Sequence, residues 1–214
     1  SGSHETISGD YTISLGAGND TIDAAAFKNG DSVDMGDGDD TVALYLTNSN
    51  GTPSYASLNM AKLDGGAGTD TLSFANMGSQ GNTELALTGG GAANFENIQG
   101  TGGTDIIRGD GGNNILSGAH DDDILYGGDG DDTLSGFYGV NASSDTGNDK
   151  LYGQAGDDTL SGTAGDNILD GGTGSDTIYT GQGSDTIILR AGDGGSELST
   201  ADIIKDFTNA SDII

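Results

Sequence analysis

Across 214 residues the chain carries 34 acidic against 6 basic side chains, a formal net charge of −28, with 41 glycines and only 5 Phe, 7 Tyr and no Trp. So acidic and glycine-rich a chain buries too little apolar surface to offset its conformational entropy, and it stays disordered unless something neutralises the charge. The absence of cysteine excludes disulfides and thiolate metal sites, six scattered basic residues cannot track a nucleic-acid backbone, and no apolar run approaches the roughly 18 residues of a membrane span.

Ser1–His4 (SGSH) reads as a cloning scar, and no secretory segment follows it. Beyond it the chain is a ladder of period nine. The reference positions are Asp20, Asp40, Asp70, Asp105, Asn114, Asp123, Asp132, Asp149, Asp158, Asn167, Asp176 and Asp185. Two residues after each stands an aliphatic, from Ile22 to Ile187, and two before it stands glycine everywhere except at Asp121. Nine residues ahead of the early copies lie four further aliphatics, Ile13, Val33, Leu63 and Ile98.

Residues 5–99 therefore read as degenerate coils with long insertions, at Asp23–Gly30, Tyr45–Asn59 and Phe74–Asn94. Residues 100–190 read as regular nonapeptides, interrupted once at Tyr138–Asp145, and 191–214 as a capping segment in which Ile203, Ile204 and Phe207 supply apolar cover. The whole is one continuous solenoid. Each unit pairs a glycine turn with a very short strand such as Thr133-Leu134-Ser135, whose middle side chain alone points inward. Two units make a coil of 18 residues, and stacked coils make two parallel sheets around a thin core. Counted this way, Asp20, Asp40, Asp70, Asp105, Asp123, Asp149, Asn167 and Asp185 fall on one edge. Asn114, Asp132, Asp158 and Asp176 fall on the other, after the degenerate turns at Tyr11, Asp31, Ala61 and Glu96.

Carboxylates one strand spacing apart repel as bare anions and are placed to share a hard divalent cation, with turn carbonyls completing its oxygen shell. Folding and metal binding then become one event. One ion between each well-formed pair gives on the order of ten. Asn114 and Asn167 offer a neutral oxygen and Asp121 replaces a turn glycine, so these mark the weak sites. Asp39, Asp122, Asp131 and Asp157 are read as solvated and are not counted as ligands.

The motif GGxGxDx(apolar)x resembles that of the RTX (repeats-in-toxin, hemolysin-type) family, most clearly from Gly100 to Ile188, and the tail Ala201–Ile214 resembles the segment that follows such repeats. The resemblance implies an all-β fold, a right-handed parallel β-roll built as a two-sheet solenoid, with multiple Ca2+ ions. It also implies backbone co-ligands in turns such as those of Gly66 and Gly68, Gly128 and Gly130, and Gly172 and Gly174. It implies a type I secreted or surface-attached bacterial protein whose β-roll folds outside the cell, where calcium is plentiful.

Three roles follow: a non-catalytic folding block beside neighbouring domains, a glycan- or protein-binding module of an adhesin or polysaccharide-modifying enzyme, or the C-terminal block of an extracellular protease or lipase. Candidate contacts for a ligand are Tyr45, Tyr55 and Phe74 in the insertions, and an outward stripe of Arg108, Tyr126 and Tyr152, which the carboxy-terminal segment is expected to cover. Only His4 and His120 are available as imidazoles, and no nucleophile or phosphate-loop motif appears.

Overall fold

The computed structural model describes residues 12–24, 32–44, 63–75, 84–86, 92–137, 146–193, 200–207 and 211–214. Its strands are short and all paired in parallel. A nine-stranded sheet runs in the order Thr21–Ala24, Thr41–Leu44, Thr71–Ser73, Asn97–Gln99, Ile115–Ser117, Thr133–Ser135, Thr159–Ser161, Thr177–Tyr179 and Ile203–Lys205. Alternating with it along the chain are a four-stranded sheet (Thr12–Ser14, Ser32–Asp34, Leu63–Asp64, Ala92–Ala93) and a six-stranded sheet (Glu84–Ala86, Ile106–Arg108, Ile124–Asp129, Lys150–Ala155, Ile168–Thr173, Thr186–Ile188). This is the parallel β-roll that the nine-residue period demands, with one wall continuous and the other divided.

Registers put like upon like. Leu116 pairs with Leu134, Leu134 with Leu160 and Leu160 with Ile178, while Ile107, Leu125, Leu151, Leu169 and Ile187 align on the other wall. These rungs are fully or almost fully buried and form a single hydrophobic cluster. With one inward side chain per strand, the core is only one residue deep on each wall. At the amino-terminal end Met35, Phe74 and Phe95 thicken it. Phe74 is wholly buried, so it is a core residue rather than a surface contact. Tyr45 and Tyr55 lie outside the described residues.

The phase differs from the spacing-based reading at one place. Asn97–Gln99 pairs with Thr71–Ser73, so Ile98 stacks on Leu72, and Glu96 rather than Asp105 succeeds Asp70. The 26 residues from Leu72 to Ile98 are one 18-residue coil plus eight, not half a coil plus seventeen. Two strands hidden in that stretch cause the change: Leu85 takes the register position below Ile107, and Ala92 that above Leu63. Neither carries the glycine–acid signature, and only six residues separate Ala92 from Ile98.

The carboxy-terminal segment continues the roll. Ile203–Lys205 adds a strand to Thr177–Tyr179, and Ile213 bridges Thr186. Its described residues therefore extend both walls at the end of the stack instead of lying over the Arg108–Tyr126–Tyr152 stripe of the six-stranded one. The stripe itself forms as expected: the Arg108 guanidinium lies 4.9 Å from the Tyr126 ring centre, and the Tyr126 and Tyr152 rings stack at 5.0 Å with 12° between planes. Asp170 continues the row and takes both terminal nitrogens of Arg190 at 2.6 Å.

Candidate metal rims

Between strands the chain turns sharply, and the acids of successive turns line two rims. The first carries Asp20, Asp40, Asp70, Glu96, Asn114, Asp132, Asp158, Asp176 and Asp202; the second carries Asp105, Asp123, Asp149, Asn167, Asp185 and Asp212. Asp20, Asp40 and Asp70 thus share a rim with Asp132, Asp158 and Asp176, not with Asp105. Glu96 stands where the spacing places it, on the rim of Asn114, Asp132, Asp158 and Asp176, whereas Asp202 and Asp212 are rim members that glycine-based counting misses. Each of these two precedes by two an aliphatic, Ile204 and Ile214, and that spacing alone would have found them.

The rim acids bind one another's coils through the backbone. The Asp132 amide donates to Asp158 Oδ1 at 2.7 Å, the Asp158 amide to Asp176 Oδ1 at 2.9 Å, and the Asp105 amide to Asp123 Oδ1 at 2.7 Å. Asp70 donates to Glu96 Oε2 at 2.7 Å, the longer side chain spanning a shortened turn. Every such side chain reaches back to the coil before it. The residues one position earlier make a second ladder of opposite sense: Asp157 donates from its amide to Asp131 Oδ1, and Ser175 to Asp157 Oδ1. Asp39, Asp122, Asp131 and Asp157 are exposed, as solvated residues should be, and they also clamp the next coil's amide.

One carboxylate oxygen of Asp40, Asp70, Asp132, Asp158, Asp176 and Asp185 is used in this way. The other oxygen, Oδ2, of Asp40, Asp70, Asp132, Asp158, Asp176 and Asp185 is buried and accepts no hydrogen bond. Burial is the main reason five of them are pushed above their ordinary value, Asp158 to about 7 and Asp132 and Asp176 to about 6, with Asp70 and Asp185 raised in the same direction. Hydrogen bonds from the preceding coil's backbone oppose the shift; neighbouring carboxylates add to it. A buried anionic oxygen with no donor requires a proton or a cation.

The turns supply what a cation would need. Gly66, Gly68, Gly128, Gly130, Gly172 and Gly174 all have positive φ, and a methyl group added at any of them would collide with the backbone of the preceding coil. At Gly172, for example, it would overlap the Gln154 carbonyl oxygen. Carbonyls are therefore packed between coils next to the rim acids, and each keeps a second lone pair when it accepts an amide. Among the described residues no three His, Cys, Asp or Glu side chains converge on one point. A metal here must draw most of its ligands from the main chain, and an all-oxygen set of carboxylate and carbonyl suits Ca2+ rather than zinc or copper.

A two-walled parallel coil with acidic rims, glycine turns and a one-residue-deep aliphatic core defines a metal-stabilised β-solenoid. The family model for the RTX calcium-binding nonapeptide repeat matches the chain in four copies, at residues 8–29, 98–136, 142–169 and 161–195. The chain belongs to this family, and it is a calcium-binding β-roll, a structural module and not a catalytic one. No curated protein matches it. Among the described residues no helix is long and apolar enough to cross a membrane.

Proposed function

We propose that this β-roll is a conditional folding block of a larger secreted or surface-attached bacterial protein, extended where calcium is scarce and folded where it is plentiful. The observation that carries the reading is the row of buried rim oxygens without a donor. A bound divalent cation supplies the positive charge that these oxygens lack. The chain's part is to hold them: Asp Oδ1 fixes each side chain to the neighbouring amide, and the glycine turns bring carbonyls alongside. The ligands are the rim acids, Asp40, Asp70, Asp132, Asp158, Asp176 and Asp185 foremost, with carbonyls of the turns at Gly66, Gly68, Gly128, Gly130, Gly172 and Gly174. The ions number on the order of ten. With the metal absent, charge repulsion and buried anions together exceed what a thin core returns.

Circular dichroism during a calcium titration, repeated with magnesium, tests this. A cooperative gain of β structure with calcium alone is expected, because magnesium demands a tighter octahedral shell and dehydrates reluctantly. A full β spectrum that persists after metal is stripped away would end the proposal.

A second role is favoured by the aromatic stripe. Tyr126, Tyr152, Gln154, Asp170 and Arg190 line an open groove of about 340 Å³ on the six-stranded wall, with the mixed aromatic and polar lining that binds neutral sugar rings or a protein surface. Glycan-array binding that survives Tyr126→Ala and Tyr152→Ala would remove it.

A further inference from the structure

The rim turns fall into two backbone classes. Before Asp20, Asp40, Asp70, Asp132, Asp176 and Asp185, the glycines four and two residues ahead both have positive φ. The same conformation persists where the sequence offers no glycine: Ala119 (φ 99) and Asp121 (φ 64) before Asp123, Gln154 (φ 84) before Asp158, and Thr163 (φ 68) before Asn167. A β-branched threonine at positive φ is strained, so this turn is held against local preference. The turns before Asp105 and Asn114 do the opposite, and Gly147 before Asp149 also lacks positive φ, so it is the donors described next that set Asp105 and Asn114 apart. Gly103 and Gly112 could adopt positive φ without penalty and do not, nor do Thr101 and Asp110.

Reversing the turn reverses its polarity. The Thr101 amide donates to Asp105 Oδ2 at 2.6 Å, and the Thr101 hydroxyl donates to the same carboxylate at 3.0 Å. The Asp110 amide donates to Asn114 Oδ1 at 2.9 Å. Thr101 Oγ1 and Asp110 Oδ1 accept the Gly103 and Gly112 amides in turn, which locks both loops. Asn167 reaches the same end differently. Its turn keeps positive φ, but its Nδ2 sits against Gly162 as the Oδ2 atoms of Asp132 and Asp176 sit against Gly127 and Gly171. From there it donates to Gly165 O and to Asp185 Oδ1, both at 3.1 Å.

We propose that the rims hold no cation at Asp105, Asn114 and Asn167, where N–H and O–H donors of the chain itself fill the place that calcium takes elsewhere. Inward-pointing donors and a cation compete for the same lone pairs, and the donor dipoles repel the cation. Asp105 and Asn114 belong to consecutive turns, so they form a metal-independent belt between the calcium-holding turns of Asp20–Asp70 and those that begin again at Asp123, among which Asn167 is a further gap. This inference rests on the calcium-dependent reading above.

Native mass spectrometry of the calcium-saturated chain, counting bound ions, tests it with two substitutions of the same chemistry. Asn167→Asp restores an oxygen without a donor in a positive-φ turn and is expected to gain one ion. Asn114→Asp adds a carboxylate that meets the Asp110 amide and is expected to gain none, and Asp105→Asn is expected to lose none. A gain at Asn114→Asp, a loss at Asp105→Asn, or no gain at Asn167→Asp overturns the assignment while leaving calcium-dependent folding intact. A parent chain that takes up no calcium at all overturns both, so the two failures are told apart by the unsubstituted protein.

Discussion

Leu134→Ala probes the core and the metal together. Leu134 is fully buried between Leu116 and Leu160 on the nine-stranded wall. Its neighbours cannot close the gap, because the strands on either side are fixed at the sheet spacing by backbone bonds. The substitution removes apolar groups worth about 2.4 kcal/mol in transfer and leaves a cavity that collapses poorly, so a loss near 3.5 kcal/mol is expected, within the ~2–5 kcal/mol range of such changes. If folding and calcium uptake are one event, that loss is spread over all the ions taken up. Eight to ten ions give a shift in the calcium midpoint of only about two-fold, whereas three ions would give about seven-fold. Circular dichroism at fixed protein concentration, titrated with calcium for parent and variant, measures the ratio directly. A shift of ten-fold or more would refute the many-ion coupling, and no shift at all would refute the place of Leu134 in the core.

The metal-free chain should respond to acid in the direction opposite to most proteins. Asp158 sits at about 7 and Asp132 and Asp176 at about 6, above the ordinary 3.8. Their contribution to folding is therefore full below about pH 4 and lost as pH rises through 6 to 7, so β structure in metal-free buffer should increase on going from pH 8 to pH 5, and a decrease would contradict the burial of these groups. Gly172→Ala forces an alanine to a φ of 102 and into the Gln154 carbonyl, a cost of more than about 1 kcal/mol. Gly111→Ala, with open space around it, should change the thermal midpoint little; equal effects at the two sites would show that the turn geometry is not what matters. Arg190→Ala removes the bidentate partner of the buried Asp170 carboxylate and should lower the thermal midpoint, with Arg190→Lys recovering only part of it.

The rungs were legible because a strand with one inward side chain must place an aliphatic at a fixed offset from each turn, and Leu116 to Ile187 obey that rule. The rim acids were legible for the same reason. The exchange of partners between Asp70 and Asp105 was not, because parity depends on how many strands an insertion hides. Leu85 and Ala92 carry no acid or glycine signature, and their pairing is settled by stacking alone. Nor could composition reveal the reversed turns at Thr101 and Asp110, whose glycines look like those of any other repeat. The peptide orientation there is set by a local hydroxyl and amide network that shows only in three dimensions.

The backward reach of the rim side chains means that no coil is completed by its own residues. The Asp132 amide is capped only when Asp158 arrives, 26 residues later, and the Asp158 amide waits for Asp176. Wherever the chain is truncated, the last turn retained has an uncapped amide. Shortened versions should accordingly lose order one layer further in than the cut itself, and a fragment designed to preserve a chosen turn has to include the whole of its successor.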